Sequence, residues 1–155
     1  DGDSIVIKTG FSARSFRARD IGSAMDPLVM VDHYVMTEDT FGTHPHAGLS
    51  AVSLILPDSE GRFHNRDSLG NDFDPVPGDL YWLNAGRGAL HNELPRAGSR
   101  THGLQVFINA PVVTLRELPD RHFRRFFAGI SQVKLQVVTP TDGDKTNIRL
   151  LWYLQ

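Results

Sequence analysis

The sequence predicts an all-β domain, a sandwich or barrel, on three observations. Fourteen glycines and nine prolines interrupt 155 residues at short intervals. Between them lie brief segments rich in β-branched and aromatic residues, with no helical stripe longer than two turns. In Val133–Val138, Val133, Leu135 and Val137 alternate with Lys134 and Gln136, the period of two of a half-buried strand. Many short strands joined by turns bury their faces by packing sheet on sheet or by closing into a barrel.

Taken in order, strands are expected at Ser4–Lys8, Leu28–Met36, Ala51–Leu56, Leu80–Leu83, Leu104–Ile108, Val133–Val138 and Ile148–Leu154. Asp67-Ser68-Leu69-Gly70-Asn71 combines turn-forming side chains with a glycine free to take positive φ, so it should join two antiparallel strands. Pro77-Gly78-Asp79 starts a strand by ending what precedes it. Gly86-Arg87-Gly88 permits a sharp bend directly before His91. Short helical turns fit Val112–Leu118 and Arg121–Phe127. After Pro119 the composition changes, with Arg121, His122, Arg124 and Arg125 around Phe123. A boundary is therefore expected between a barrel over 1–120 and a strand-containing extension over 121–155.

Charge and cysteine content narrow the function. Sixteen Lys and Arg against 18 Asp and Glu leave a net charge of −2, which disfavours direct nucleic-acid or membrane binding by bulk charge. No cysteine is present, so disulfides, thiolate metal sites and thiol switches are all removed. Apolar runs such as Leu28–Val31 and Leu150–Leu154 are too short to span a bilayer. With no signal peptide visible, the expected compartment is the cytoplasm.

The chemistry lies in a pair of pairs. His44-Pro45-His46 and His91-Asn92-Glu93 each set two metal-ligating types two residues apart. On a strand, residues i and i+2 share a face. Two such strands side by side would deliver three imidazoles and one carboxylate to one point inside a barrel. Three nitrogens and an oxygen suit a first-row divalent ion (Fe, Mn, Cu, Ni or Zn), and an octahedral ion held by four ligands keeps two open positions. A barrel that has lost its ion is the bland alternative.

Other residues have quieter readings. His33 and His102 fit structural histidines, His64 an exposed one, and Tyr81, Trp82 and Phe107 core aromatics, although these three could also line a pocket. The basic group at Arg121–Arg125 fits a solvated mixed-charge face beside Glu117 and Asp120.

At these residues the chain resembles the pirins, a branch of the cupin superfamily. The resemblance rests on Asp32-His33-Tyr34, His44-Pro45-His46 with Gly48-Leu49, and Arg66-Asp67-Ser68-Leu69-Gly70-Asn71. It continues through Pro77-Gly78-Asp79, Trp82, Ala85-Gly86-Arg87-Gly88, His91-x-Glu93, Gly103-Leu104-Gln105 and Asn109. It implies a cupin-type β-barrel, a double-stranded jelly roll, with a mononuclear iron-type site whose ligands are His44, His46, His91 and Glu93. It also implies dioxygenase activity on flavonol- or enediol-like substrates with vicinal oxygens, consuming O2, with Glu93 as general base. The alternative it carries is a metal-dependent regulatory or redox-sensing protein acting through a protein partner. Full-length pirins hold two cupin domains, so 121–155 could instead begin a truncated second one. Three positions differ from many pirins: Ala47 and Ser50 stand where Arg and Glu are frequent, and Asn65 where a histidine is common.

Overall fold

The structure, a computed structural model, describes residues 1–86, 88–109, 133–138 and 148–152, the last two stretches as backbone strands. Twelve strands follow in chain order: β1 (Asp3–Ile7), β2 (Phe11–Arg17), β3 (Leu28–Met36), β4 (His44–His46), β5 (Ser50–Ile55), β6 (Phe63–Asp67), β7 (Asp72–Phe73), β8 (Asp79–Asn84), β9 (Ala89–Pro95), β10 (Thr101–Ile108), β11 (Val133–Val138) and β12 (Ile148–Trp152). One α-helical turn, α1 (Ala18–Ile21), follows β2. The strands form a larger sheet in the order β1-β2-β3-β10-β5-β8-β11-β12 and a smaller one in the order β4-β9-β6-β7. All pairings are antiparallel except β8 with β11. The all-β expectation holds, and the two sheets enclose a cavity as a jelly roll requires.

The central strands of the larger sheet are buried on both faces. β5 is buried along its whole length, which explains why Ala51–Leu56 is apolar on both faces except at Ser53. Towards the smaller sheet, Ala51, Tyr81 and Leu83 pack with Ala85 and Ala89, while Phe63 joins Phe11, Tyr34 and Ile55. The opposite face carries Val52, Leu54, Leu80, Trp82, Val106 and Ile108. Tyr81 and Trp82 are thus core residues on opposite faces of one strand.

Strands β2 and β6 escape a reading by composition because their outward positions are polar. Phe11, Ala13 and Ser15 face inward between exposed Ser12 and Arg14, and Phe63 and Asn65 are buried beside Arg66. The hairpin expected at Asp67–Asn71 joins β6 to β7. Asp67 Oδ1 accepts the backbone N–H groups of Leu69 (2.8 Å) and Asn71 (3.2 Å). The Tyr81 hydroxyl donates to Asp67 Oδ2 at 2.7 Å and ties the larger sheet to this turn. The strands expected at Val133–Val138 and Ile148–Leu154 correspond to β11 and β12. The helical turns at Val112–Leu118 and Arg121–Phe127, and the basic group at Arg121–Arg125, lie outside the described residues.

Asp67→Ala would strip the turn of its acceptor and the Tyr81 hydroxyl of its 2.7 Å partner. The expected cost is about 1–3 kcal/mol, read as a lower denaturant midpoint at unchanged slope; an unchanged midpoint contradicts the assigned role.

Candidate metal centre

Both candidate pairs, His44 with His46 and His91 with Glu93, lie on strands of the smaller sheet, and those strands are neighbours. β4 runs antiparallel to β9 with His44 opposite His91 and His46 opposite Ala89. The strand period places His44 and His46 on one face, and likewise His91 and Glu93. The bend expected before His91 is present: Gly88 has φ +126, a value that side-chain-bearing residues rarely adopt. The Gly48 N–H donates to the Gly86 carbonyl at 2.9 Å, which joins the ends of the two motifs.

The three imidazoles converge through one kind of atom. His91 Nε2 lies 2.9 Å from His46 Nε2 and 3.0 Å from His44 Nε2. Among the described residues these three form the one cluster of at least three such side chains close enough to share an ion. Two nitrogens bound at right angles to one ion, each at about 2.1 Å, would stand about 3.0 Å apart. The observed separations meet that test. His44 Nδ1 donates to the Gly42 carbonyl at 2.9 Å, leaving its Nε2 as the bare, ligating nitrogen. His91 Nδ1 is buried without a hydrogen-bond partner in the protein.

The surroundings keep His46 and His91 neutral. Burial, reinforced by neighbouring imidazoles, lowers the pKa of His46 to about 4 and that of His91 to about 3. The His46 ring also meets Phe107 edge-on, with centroids 5.0 Å apart. Neutral imidazole is the form that coordinates a metal.

Glu93 lies in the wall of the same cavity, engaged with Ser53 and not within the imidazole cluster. Its carboxyl is buried, which raises its pKa to about 7 against the opposing hydrogen bond from Ser53. Ser53 Oγ sits 2.6 Å from Glu93 Oε1 and 2.7 Å from Gln105 Oε1. One hydroxyl carries one proton. Turning the Gln105 amide by half a rotation lets its Nε2, otherwise buried without a partner, donate to Ser53 while Ser53 donates to Glu93. Asn65 stands opposite Glu93 in the β6–β9 ladder and is fully buried, so the side chain found there in place of histidine brings no charge.

The cavity holds about 320 Å³, within the range of small-molecule sites. Its walls are mostly apolar, and Phe107 lines it instead of packing wholly into the core. Ser53 and Gln105 escaped assignment as site residues. No local signal marks them: β5 also carries Ser50, and β10 Thr101 and His102, so a polar side chain in these strands does not stand out.

Among the other described histidines, one departs from its expected setting. His64 is mostly shielded, with Nδ1 2.9 Å from Asp74 Oδ1 in a cluster with Arg62 and Arg96. His33 and His102 contact each other across the β3–β10 ladder.

The sequence profile of the Pirin family matches residues 9–108. The chain belongs to the pirin family. It is 35% identical over 110 residues to a pirin-like protein of Solanum lycopersicum, covering 70% of this chain and 35% of the tomato protein. It is 27% identical to a Vibrio cholerae protein provisionally named quercetin 2,3-dioxygenase, over 90% of this pirin and 54% of that protein. The fold matches a crystal structure from Geobacillus kaustophilus with a TM-score of 0.60 and 28% identity, over 71% of this chain and 43% of that one. The chain thus spans between about a third and a half of these relatives. Among the described residues no helix is long and apolar enough to cross a membrane.

Two measurements test the centre. His91→Ala should abolish tight binding of a divalent ion at the cavity while the far-ultraviolet dichroism stays that of the wild type; metal content equal to that of the wild type would refute the assignment. The second is pH dependence without metal. An unfolded imidazole titrates near 6.5, so below that the unfolded chain binds protons that folded His46 and His91 refuse, and stability falls with pH. Glu93 works in the opposite sense between about 4.5 and about 7, but it is one group against two. Between pH 7 and 5 the denaturant midpoint should fall more steeply in the wild type than in a His46→Gln/His91→Gln variant; parallel lines contradict the burial of neutral imidazoles.

Proposed function

We propose that this pirin is a metal-dependent dioxygenase acting on a small flavonol- or enediol-like molecule with vicinal oxygens. The observation that carries the reading is the convergence of three bare imidazole nitrogens on a largely apolar cavity with Glu93 in its wall. The provisional name of the Vibrio cholerae relative supports the same reaction class. Imidazole donors suit Fe, Mn, Cu, Ni and Zn. Zinc has no redox chemistry to offer dioxygen, and iron is the first choice among the rest.

When bound, such an ion would supply Lewis acidity that favours the anion of a ligating hydroxyl, and a route for electrons to dioxygen. His44, His46 and His91 would hold it. Glu93 would either complete the set or, as general base, take the hydroxyl proton of the substrate onto its carboxylate. Its pKa of about 7 suits that second task, because it can accept a proton at neutral pH and release it again. Ser53 would orient the carboxylate through its 2.6 Å hydrogen bond. Phe41 and Phe107 would present apolar surface to the rings of the substrate and exclude water.

The test is reconstitution with Fe(II) under anaerobic conditions, followed by oxygen uptake with a panel of flavonols and enediols. Uptake that requires both iron and substrate is the expected result. Stoichiometric iron with no uptake on any member of the panel would instead support a regulatory, protein-binding role. Glu93→Gln should slow uptake by about 10²- to 10⁴-fold, with metal content measured on the same sample; wild-type rates would remove Glu93 from the chemistry.

A further inference from the structure

A second pair of facing imidazoles lies away from the cavity. His33 is exposed on the outward face of β3, whose buried positions Met30, Asp32, Tyr34 and Met36 point the other way. His102, on the adjacent strand β10, stands opposite Val35, while Leu104 stands opposite His33. The two histidines are therefore diagonal neighbours on one of the longest ladders of the fold. Their Nε2 atoms are 2.6 Å apart and their ring centroids 4.7 Å apart.

The far side of His102 is buttressed. Its Nδ1 lies 2.7 Å and 2.8 Å from the two oxygens of Asp58. The segment carrying Asp58 is locked to the same residue, since the His102 N–H donates to Ser59 Oγ and the Leu56 N–H to the His102 carbonyl. With Nδ1–H donated to a carboxylate, the bare nitrogen of His102 is Nε2, and it faces His33. A carboxylate that holds one ring nitrogen while the other stays free is the arrangement that orients metal-binding histidines. Arg14, opposite His33 on β2, donates Nη1 to the Gly2 carbonyl at 2.8 Å.

We infer that His33 and His102, with Asp58 behind His102, form a second metal site on the outer face of the larger sheet. It takes a single divalent ion of the imidazole-preferring type (copper, nickel or zinc), with solvent at the remaining positions. Separating the two Nε2 atoms by a few tenths of an ångström, within the reach of ring rotation at an exposed side chain, gives the spacing seen at the cavity centre. The site stands independently of the proposed oxygenase activity, because it shares no residue with the cavity.

Equilibrium dialysis with Ni²⁺, followed by metal analysis, tests the assignment. The wild-type chain should hold two ions, the His91→Ala chain one, and the His33→Ala chain one. Asp58→Asn should weaken the outer ion by about ten- to a hundredfold with no change at the cavity centre. His33 is exposed, so its replacement leaves the fold intact, as dichroism would verify. Should His91→Ala fail to fold, the difference in stoichiometry between wild type and His33→Ala decides alone. Equal nickel content in those two chains overturns the inference and leaves a hydrogen-bonded relay in which His33 Nε2–H donates to His102.

Discussion

The pairing of β4 with β9 is the constraint on which the rest of the centre depends. β4 has three residues, two of them histidines, and its register sets His44 against His91. Because side chains alternate with a period of two, a slip of β4 by one residue would turn both of its imidazoles away from the cavity. A strand so short cannot hold its own register. It is held from outside, by the Gly48–Gly86 backbone bond at one end and by the Gly42 carbonyl that fixes the His44 ring at the other. β9 is fixed in turn by five paired positions with β6, whose turn is tied to the larger sheet through Asp67 and Tyr81.

Burial performs two opposite tasks on this scaffold. Desolvation removes protons from His46 and His91 and keeps one on Glu93 up to about neutral pH. Both effects follow from the same cost of placing charge in an apolar cavity. The imidazoles are thereby ready to coordinate, and the carboxyl is poised between acid and base. Ser53 reaches Glu93 from the larger sheet, so the chemistry sits where the two sheets meet.

Much of this was legible in the sequence, and the part that was not has physical reasons. The two candidate ligand pairs announce themselves because i and i+2 spacing has one meaning on a strand, and Gly88 before His91 marks a backbone bend that side chains disfavour. Strands β2 and β6 were obscured by polar outward faces. Ser53 and Gln105 were hidden because a role in orienting a carboxylate depends on which strands become neighbours, and no local pattern encodes that. Glu93 was paired correctly with His91 by face, yet its engagement with Ser53 needed three dimensions. His33 and His102 are 69 residues apart and meet only through the β3–β10 register.

X-ray absorption at the edge of an ion loaded into the cavity centre of the His33→Ala chain would test the central claim most directly. Multiple scattering from three imidazoles with nitrogens at about 2.1 Å is the predicted result. A spectrum fitted by oxygen donors alone, or by one imidazole, would contradict the convergence of His44, His46 and His91 on a single ion.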